Sequence, residues 1–243
     1  MTHLFFALQF LTIIPVKIKT LTQETASRSL VYFPLVGLLL GAALCFMHTL
    51  CRFIGLPPLS IDIILVITLA ILTAAMHLDG LADTADGLLS GKSKEGSLAI
   101  MKDPHIGVMG VVSITSALSL KFAFLYALAP AAKPTALLLM CLLGRWALVW
   151  NLFLFPYARK DGKAKSFFEG INAGIVTKAA LVTIVCALCI GRLQGLLLFL
   201  IITIFTYFLG RSLSRKIEGM TGDTLGAINE ISEIICLLWI CIL

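Results

Sequence analysis

Apolar residues in this chain come in long unbroken runs, not in the alternating or three-to-four spacing of a soluble fold. Runs at about 30–50, 60–77, 107–129, 135–155, 176–190 and 193–210 contain few charges. Such a run reads as a helix crossing a bilayer, which takes about 20 residues, and the fifth is at the short end. Two shorter apolar stretches flank the set. Residues 1–16 hold Gln9 and Pro15, have no Lys or Arg ahead of the apolar part and show no small-residue cleavage site. They predict an interfacial or re-entrant helix and not a signal peptide. The stretch at 231–243, with Glu233 near its start, predicts a second short helix of that kind. The pattern predicts an all-α polytopic membrane bundle of about six full spans plus short N- and C-terminal helices. No linker or internal repeat divides the chain, so 1–243 reads as one integral-membrane domain.

Composition agrees with the pattern: 59% of residues are hydrophobic and 13% charged, with mean hydropathy +1.02, whereas soluble domains carry about a quarter charged residues. The charge distribution then adds an orientation. Segments 17–29, 78–106, 156–178 and 211–230 hold 14 of the 19 Lys and Arg, while the alternating connections hold only Arg52, Lys133 and Arg192. By the positive-inside rule the long loops, and every polar motif with them, face the cytoplasm. A net charge of +6 spread over short loops, with no long basic arm, argues against nucleic acid as a partner. It suits membrane orientation and anionic phosphate groups. The seven cysteines form neither paired CxxC motifs nor a Cys/His cluster at zinc spacing, and read as small buried hydrophobes in a protein whose soluble parts face a reducing compartment.

The polar residues that interrupt this pattern carry the chemistry. In His77-Leu78-Asp79-Gly80-Leu81-Ala82-Asp83-Thr84-Ala85-Asp86-Gly87, a helical turn of roughly 100° per residue puts Asp79, Asp83 and Asp86 on one face. Three like charges on one face repel unless a cation sits among them, and oxygen-only ligands favour a hard ion such as Mg²⁺. A second set, Gly219 to Glu233, places Asp223 and Glu230 seven residues apart on one helical face, with Thr221 ahead of them. Packed against the first set, it would gather up to five carboxylates near the membrane boundary, where charge is costly and marks an ion or substrate site. Between them, Lys102-Asp103-Pro104-His105 opens a span whose first turn offers free N–H groups to an anion. Arg145 and Lys121 fall inside apolar runs and need partners, a carboxylate or a substrate phosphate for Arg145. The segment 155–165, with Arg159 among its basic residues, would attract a polyanion.

These blocks, HLDGLADTADGL at 77–88, IMKDPHIGVMG at 100–110, GRW at 144–146, PYARKDGK at 156–163 and MTGDTLGAINEISE at 220–233, resemble the cobalamin synthase family, the adenosylcobinamide-GDP ribazoletransferases. FLTIIPV at 10–16 and FPLVGLLLGA at 33–42 extend the resemblance nearly end to end. It implies transfer of the adenosylcobinamide phosphoryl group from adenosylcobinamide-GDP to α-ribazole or its 5′-phosphate, with GMP leaving, in a bacterial inner membrane. Under that reading Asp79, Asp83, Asp86 and Asp223 would hold Mg²⁺, and Asp83, Asp223 and Glu230 would act in catalysis. Lys102, Asp103, Arg145, Arg159 and Thr221 would contact substrate. Lipid would surround the protein, with an oligomer left open. Two other readings of the carboxylates stand beside it: a membrane phosphotransferase of CDP-alcohol type, and a cation-coupled transporter.

Overall fold

A chain in lipid must satisfy its backbone within each crossing segment, and helices do this with no outside partner. The structure, a computed structural model, describes residues 2–16, 22–162 and 164–242. Lys17, Lys19 and Lys163, counted above among the basic loop residues, lie outside them. The helices in chain order are α1 (Thr2–Leu11), α2 (Gln23–Ser29), a 3₁₀ turn (Leu30–Tyr32), α3 (Phe33–Phe53), α4 (Pro58–Leu72) and α5 (Met76–Leu89). They continue with α6 (Lys94–Ile100), α7 (Val108–Ala127), α8 (Lys133–Leu154), α9 (Lys165–Gly170), α10 (Ala173–Ile217) and α11 (Gly222–Ile242). Five stretches are long and apolar enough to cross a membrane, and α4 with α5 make a sixth as a pair bent by 86°. The all-α polytopic bundle is therefore what forms. Among the described residues the one β feature is an isolated bridge between Tyr157 and Met220.

Cross-links between chain-distant residues define two ends. At one, the Lys133 ammonium meets Asp62 at 2.6 Å, joining the starts of α4 and α8, and the Cys241 thiol lies 3.4 Å from the Phe124 carbonyl, joining the ends of α7 and α11. At the other, Lys94 pairs with Glu218 at 2.6 Å and the Lys216 ammonium donates to the Leu88 carbonyl at 3.1 Å. α10 does not run straight: Arg192 has φ 50° and ψ −136°, and the Gly195 backbone abuts that of Ala187. Residues eight apart in one helix are separated by about 12 Å, so the chain doubles back at Arg192 and the two arms are antiparallel.

Helices in lipid gain little from hydrophobic association and depend on close packing. α8 is the hub, its side chains buried almost throughout from Ala136 to Leu152. α3 reaches it through Gly37 and Gly41, where any Cβ would collide with the α8 backbone at Leu137 to Leu142. α1 stays short, as its sequence predicts, and places Phe6 and Phe10 in an aromatic cluster with Phe33 and Phe167, ring centroids 4.7–6.3 Å apart.

One boundary differs from the sequence reading. The C-terminal helix begins at Gly222, not near 231, and is long and apolar enough to cross by itself. Its polar first half, Thr224 to Glu233, is buried against other helices. Hydropathy assigns those residues to water, whereas the fold gives them protein partners.

Candidate active site

α5 starts from a break in the chain. Ala74 and Ala75 both adopt left-handed backbone conformations, at φ 50° and 53°, a geometry that costs a non-glycine residue roughly 1–2 kcal/mol. It turns α5 off the axis of α4 and lays it across the start of α11. The crossing point is Gly80, where an added Cβ would come within 2.8 Å of the Asp223 carbonyl, and Gly226 faces the His77 carbonyl from the other side. Residues more than a hundred apart in sequence thus share one turn of contact, and the Asp79–Asp83 face meets Asp223.

Asp83 is half-buried and feels the like charges of Asp223, Asp79 and Asp86, opposed by Arg159. Arg159 donates from Nη2 to Asp223 Oδ2 at 2.7 Å, and the same nitrogen lies 3.5 Å from the Met101 carbonyl. The loop that carries it is pinned to the start of α11 by two bonds: Ala158 N–H to the Met220 carbonyl and Met220 N–H to the Pro156 carbonyl, both 2.8 Å. Thr221 is fully buried and caps α11, exchanging hydrogen bonds with Thr224 at 2.8 and 3.2 Å and donating to Asp223 at 3.3 Å.

Asp86 has a different environment. Its two oxygens accept the N–H of Gly107 at 2.7 Å and of Gly110 at 2.8 Å, at the first turn of α7. A carboxylate there satisfies two otherwise free donors and complements the positive end of the helix. Nearby, Asp103 accepts from the His105 N–H at 2.9 Å and from its ring at 2.7 Å. The backbone bond foremost holds that exposed carboxyl below its usual range. Lys102 is exposed on the adjoining surface.

The structure does not bring Glu230 or Arg145 onto this face. Glu230 lies seven residues along α11, about 10 Å deeper, and meets the Lys121 ammonium at 2.7 Å inside the bundle. Lys121 also pairs with Glu233, Glu233 with Arg145, and the Asn229 amide donates to Glu233 at 3.1 Å. Two cations and two anions cancel there, with Arg145 wholly buried. The sequence flagged Lys121 and Arg145 as charges needing partners; that their partners are Glu230 and Glu233 follows only from α7, α8 and α11 packing together. The Asp86 seat went unread, although two glycines three apart at a helix start were its signal. The Arg159–Asp223 pair has no sequence signal.

Among the described residues, no three His, Cys, Asp or Glu side chains group closely enough to hold a metal ion as they stand. The donor chemistry is nevertheless that of a hard-cation site: Asp79, Asp83 and Asp223 supply oxygen only, and Arg159 is the cation among them. A groove of about 600 Å³ opens beside Arg159, between α6 and residues 157–161.

Comparison with known proteins bears on this geometry. The sequence pattern of cobalamin-5-phosphate synthase matches residues 3–241. The chain belongs to the cobalamin-5-phosphate synthase family. It is 40% identical, over 95% of its length and 86% of the relative's, to the adenosylcobinamide-GDP ribazoletransferase of Roseiflexus sp. strain RS-1. Enzymes of the same name from Desulforamulus reducens and Pseudomonas fluorescens are 38% and 35% identical, over 93% and 98% of this chain and 91% and 98% of theirs. No solved structure matches. Membership in the cobalamin-5-phosphate synthase family sets aside the transporter and CDP-alcohol readings and makes this synthase-family chain a membrane transferase of cobalamin assembly.

Proposed function

We propose that the chain transfers the adenosylcobinamide phosphoryl group from adenosylcobinamide-GDP to α-ribazole or its 5′-phosphate, releasing GMP, at the end where α5 crosses α11. The observation that carries this is the Gly80 crossing, which sets Asp79 and Asp83 against Asp223 and Arg159. An acceptor hydroxyl attacks phosphorus, the bond to the GMP oxygen breaks, and Asp83 takes the hydroxyl proton. Asp83 suits that role by its place on the α5 face that meets Asp223 and Arg159 at the crossing. Lys102 and Arg159 neutralise charge growing on the phosphates. Mg²⁺, when bound by Asp79, Asp83 and Asp223, would supply further neutralisation of the pyrophosphate. Asp86 positions the α7 start, Thr221 the start of α11, and Glu230 and Arg145 lock α11 into the bundle. The basic loops cluster at this end, which supports placing it on the cytoplasmic side of a bacterial inner membrane.

The test is purified protein with adenosylcobinamide-GDP, α-ribazole and Mg²⁺, assayed for GMP and a corrinoid product. Turnover abolished by chelator, and reduced by about 10²-fold or more in a folded Asp83→Asn variant, is expected. No GMP release from wild type overturns the activity, and full activity with chelator overturns the metal.

A further inference from the structure

The groove beside the carboxylates is lined mostly by charged side chains. Lys94, Lys102, Arg159 and Lys160 line it with Glu95 and Asp161; Lys94 is engaged by Glu218 and Arg159 by Asp223, which leaves Lys102 and Lys160 as its cations outside any ion pair among the described residues. One nitrogen of Arg159, Nε, is buried without a hydrogen-bond acceptor. Arg159 forms the boundary between groove and carboxylates, since its Nη2 holds Asp223. At about 600 Å³ the space lies within the range of small-molecule sites, roughly 300–1,000 Å³. That admits a nucleotide and not a nucleotide joined to a corrin macrocycle.

We propose that this groove seats the nucleoside monophosphate half of the donor, the group that leaves. The proposal rests on the transfer reading above and adds where each half of the substrate lies. A nucleoside monophosphate dianion suits Lys102 and Lys160, the two lining cations not held by a carboxylate among the described residues. The carboxylates of Glu95 and Asp161 are acceptor-only groups and suit guanine, whose pairing edge presents two adjacent N–H donors at N1 and N2, over adenine, which pairs one donor with an acceptor. The phosphate then falls at Arg159, with the scissile bond between Arg159 and the Asp79–Asp83 face. In displacement at phosphorus the attacking and leaving oxygens are in line. The new oxygen–phosphorus bond therefore forms on the carboxylate side, the hydroxyl proton passes to Asp83, and the electron pair of the broken bond leaves with the GMP phosphate into the groove. The acceptor must enter from the side of α5 opposite α6.

Equilibrium dialysis of the purified full chain in detergent, with GMP, AMP and inorganic phosphate as probes and no acceptor present, tests this. Wild type should bind GMP at least ten-fold more tightly than AMP or phosphate. Lys160→Ala and Lys94→Ala should each weaken GMP several-fold, and Glu95→Gln with Asp161→Asn should bring GMP and AMP near parity. These side chains are on the surface, so the variants should fold, which size-exclusion profiles check. Equal binding of GMP, AMP and phosphate reduces the groove to an anion site and overturns the nucleoside assignment. Unchanged GMP affinity in both lysine variants overturns the groove altogether. GMP release from adenosylcobinamide-GDP by the same wild-type preparation separates the two ideas: turnover with no groove effect overturns only this proposal, and specific GMP binding without turnover overturns only the transfer reading.

Discussion

The carboxylates of the site look alike in sequence and differ in what they touch. Asp86 has each oxygen engaged by a backbone N–H, while Asp79 is exposed and Asp83 half-buried beside it. Gly107 and Gly110 permit this seat, because a Cβ at either would strike the Asp86 carboxylate. Asp86→Asn replaces one acceptor oxygen by an amide that faces a donor. It should lower stability by about 0.5–2 kcal/mol and reduce turnover while leaving the Mg²⁺ concentration for half-maximal rate unchanged; a large rise in that concentration would make Asp86 a ligand. The sequence placed Asp79, Asp83 and Asp86 on one face correctly, since helical periodicity is local. It could not distinguish their roles, because the glycines that engage Asp86 belong to another helix.

At the scale of elements, the site is a crossing of two helices held close at two glycines. Gly80 and Gly226 let α5 and α11 approach to backbone contact. If Asp79 and Asp223 serve one transition state across that crossing, removing either disables the same interaction. The Asp79→Ala, Asp223→Ala double variant should therefore turn over scarcely more slowly than the worse single variant, measured as kcat/KM for the corrinoid donor. Multiplicative losses would mean two independent sites. The helices themselves were legible from apolar runs, but the start of α11 was not, because its buried polar half resembles a loop to any measure of hydropathy.

Over the whole molecule, buried charge is held in neutral groups, such as Lys133 with Asp62 and the network around Lys121. Lys121 links α7 to Glu230 and Glu233 on α11, and Arg145 extends the link to α8. Lys121→Met leaves two buried carboxylates with one cation and should cost about 3–5 kcal/mol, the usual range for breaking a buried pair from one side. Adding Glu230→Gln should restore much of it. Thermal unfolding in detergent reads both, and a double variant no more stable than the single one would show that the network does not balance as a unit. The cross-links at each end also set the path of the chain. With α10 doubled back and α11 crossing, a cysteine introduced at Ser93 in a cysteine-free background should be labelled from one side, and cysteines at Ala131 and Ile242 from the other. Labelling of Ser93 and Ile242 positions from the same side would return α11 to a re-entrant helix.

By itself the sequence determined that the chain is a helical membrane bundle, which face of α5 is acidic and which loops gather the basic residues. Each of these follows from local periodicity, from the length of apolar runs or from charge counted along the chain. Only the tertiary structure decided that Asp223 meets Asp79 and Asp83, that Glu230 and Arg145 balance charge deep in the bundle, and that Asp86 anchors α7. These are questions of which partner satisfies a buried polar group. Distant segments answer them when they pack, because a buried charge is far less costly when an opposite charge meets it.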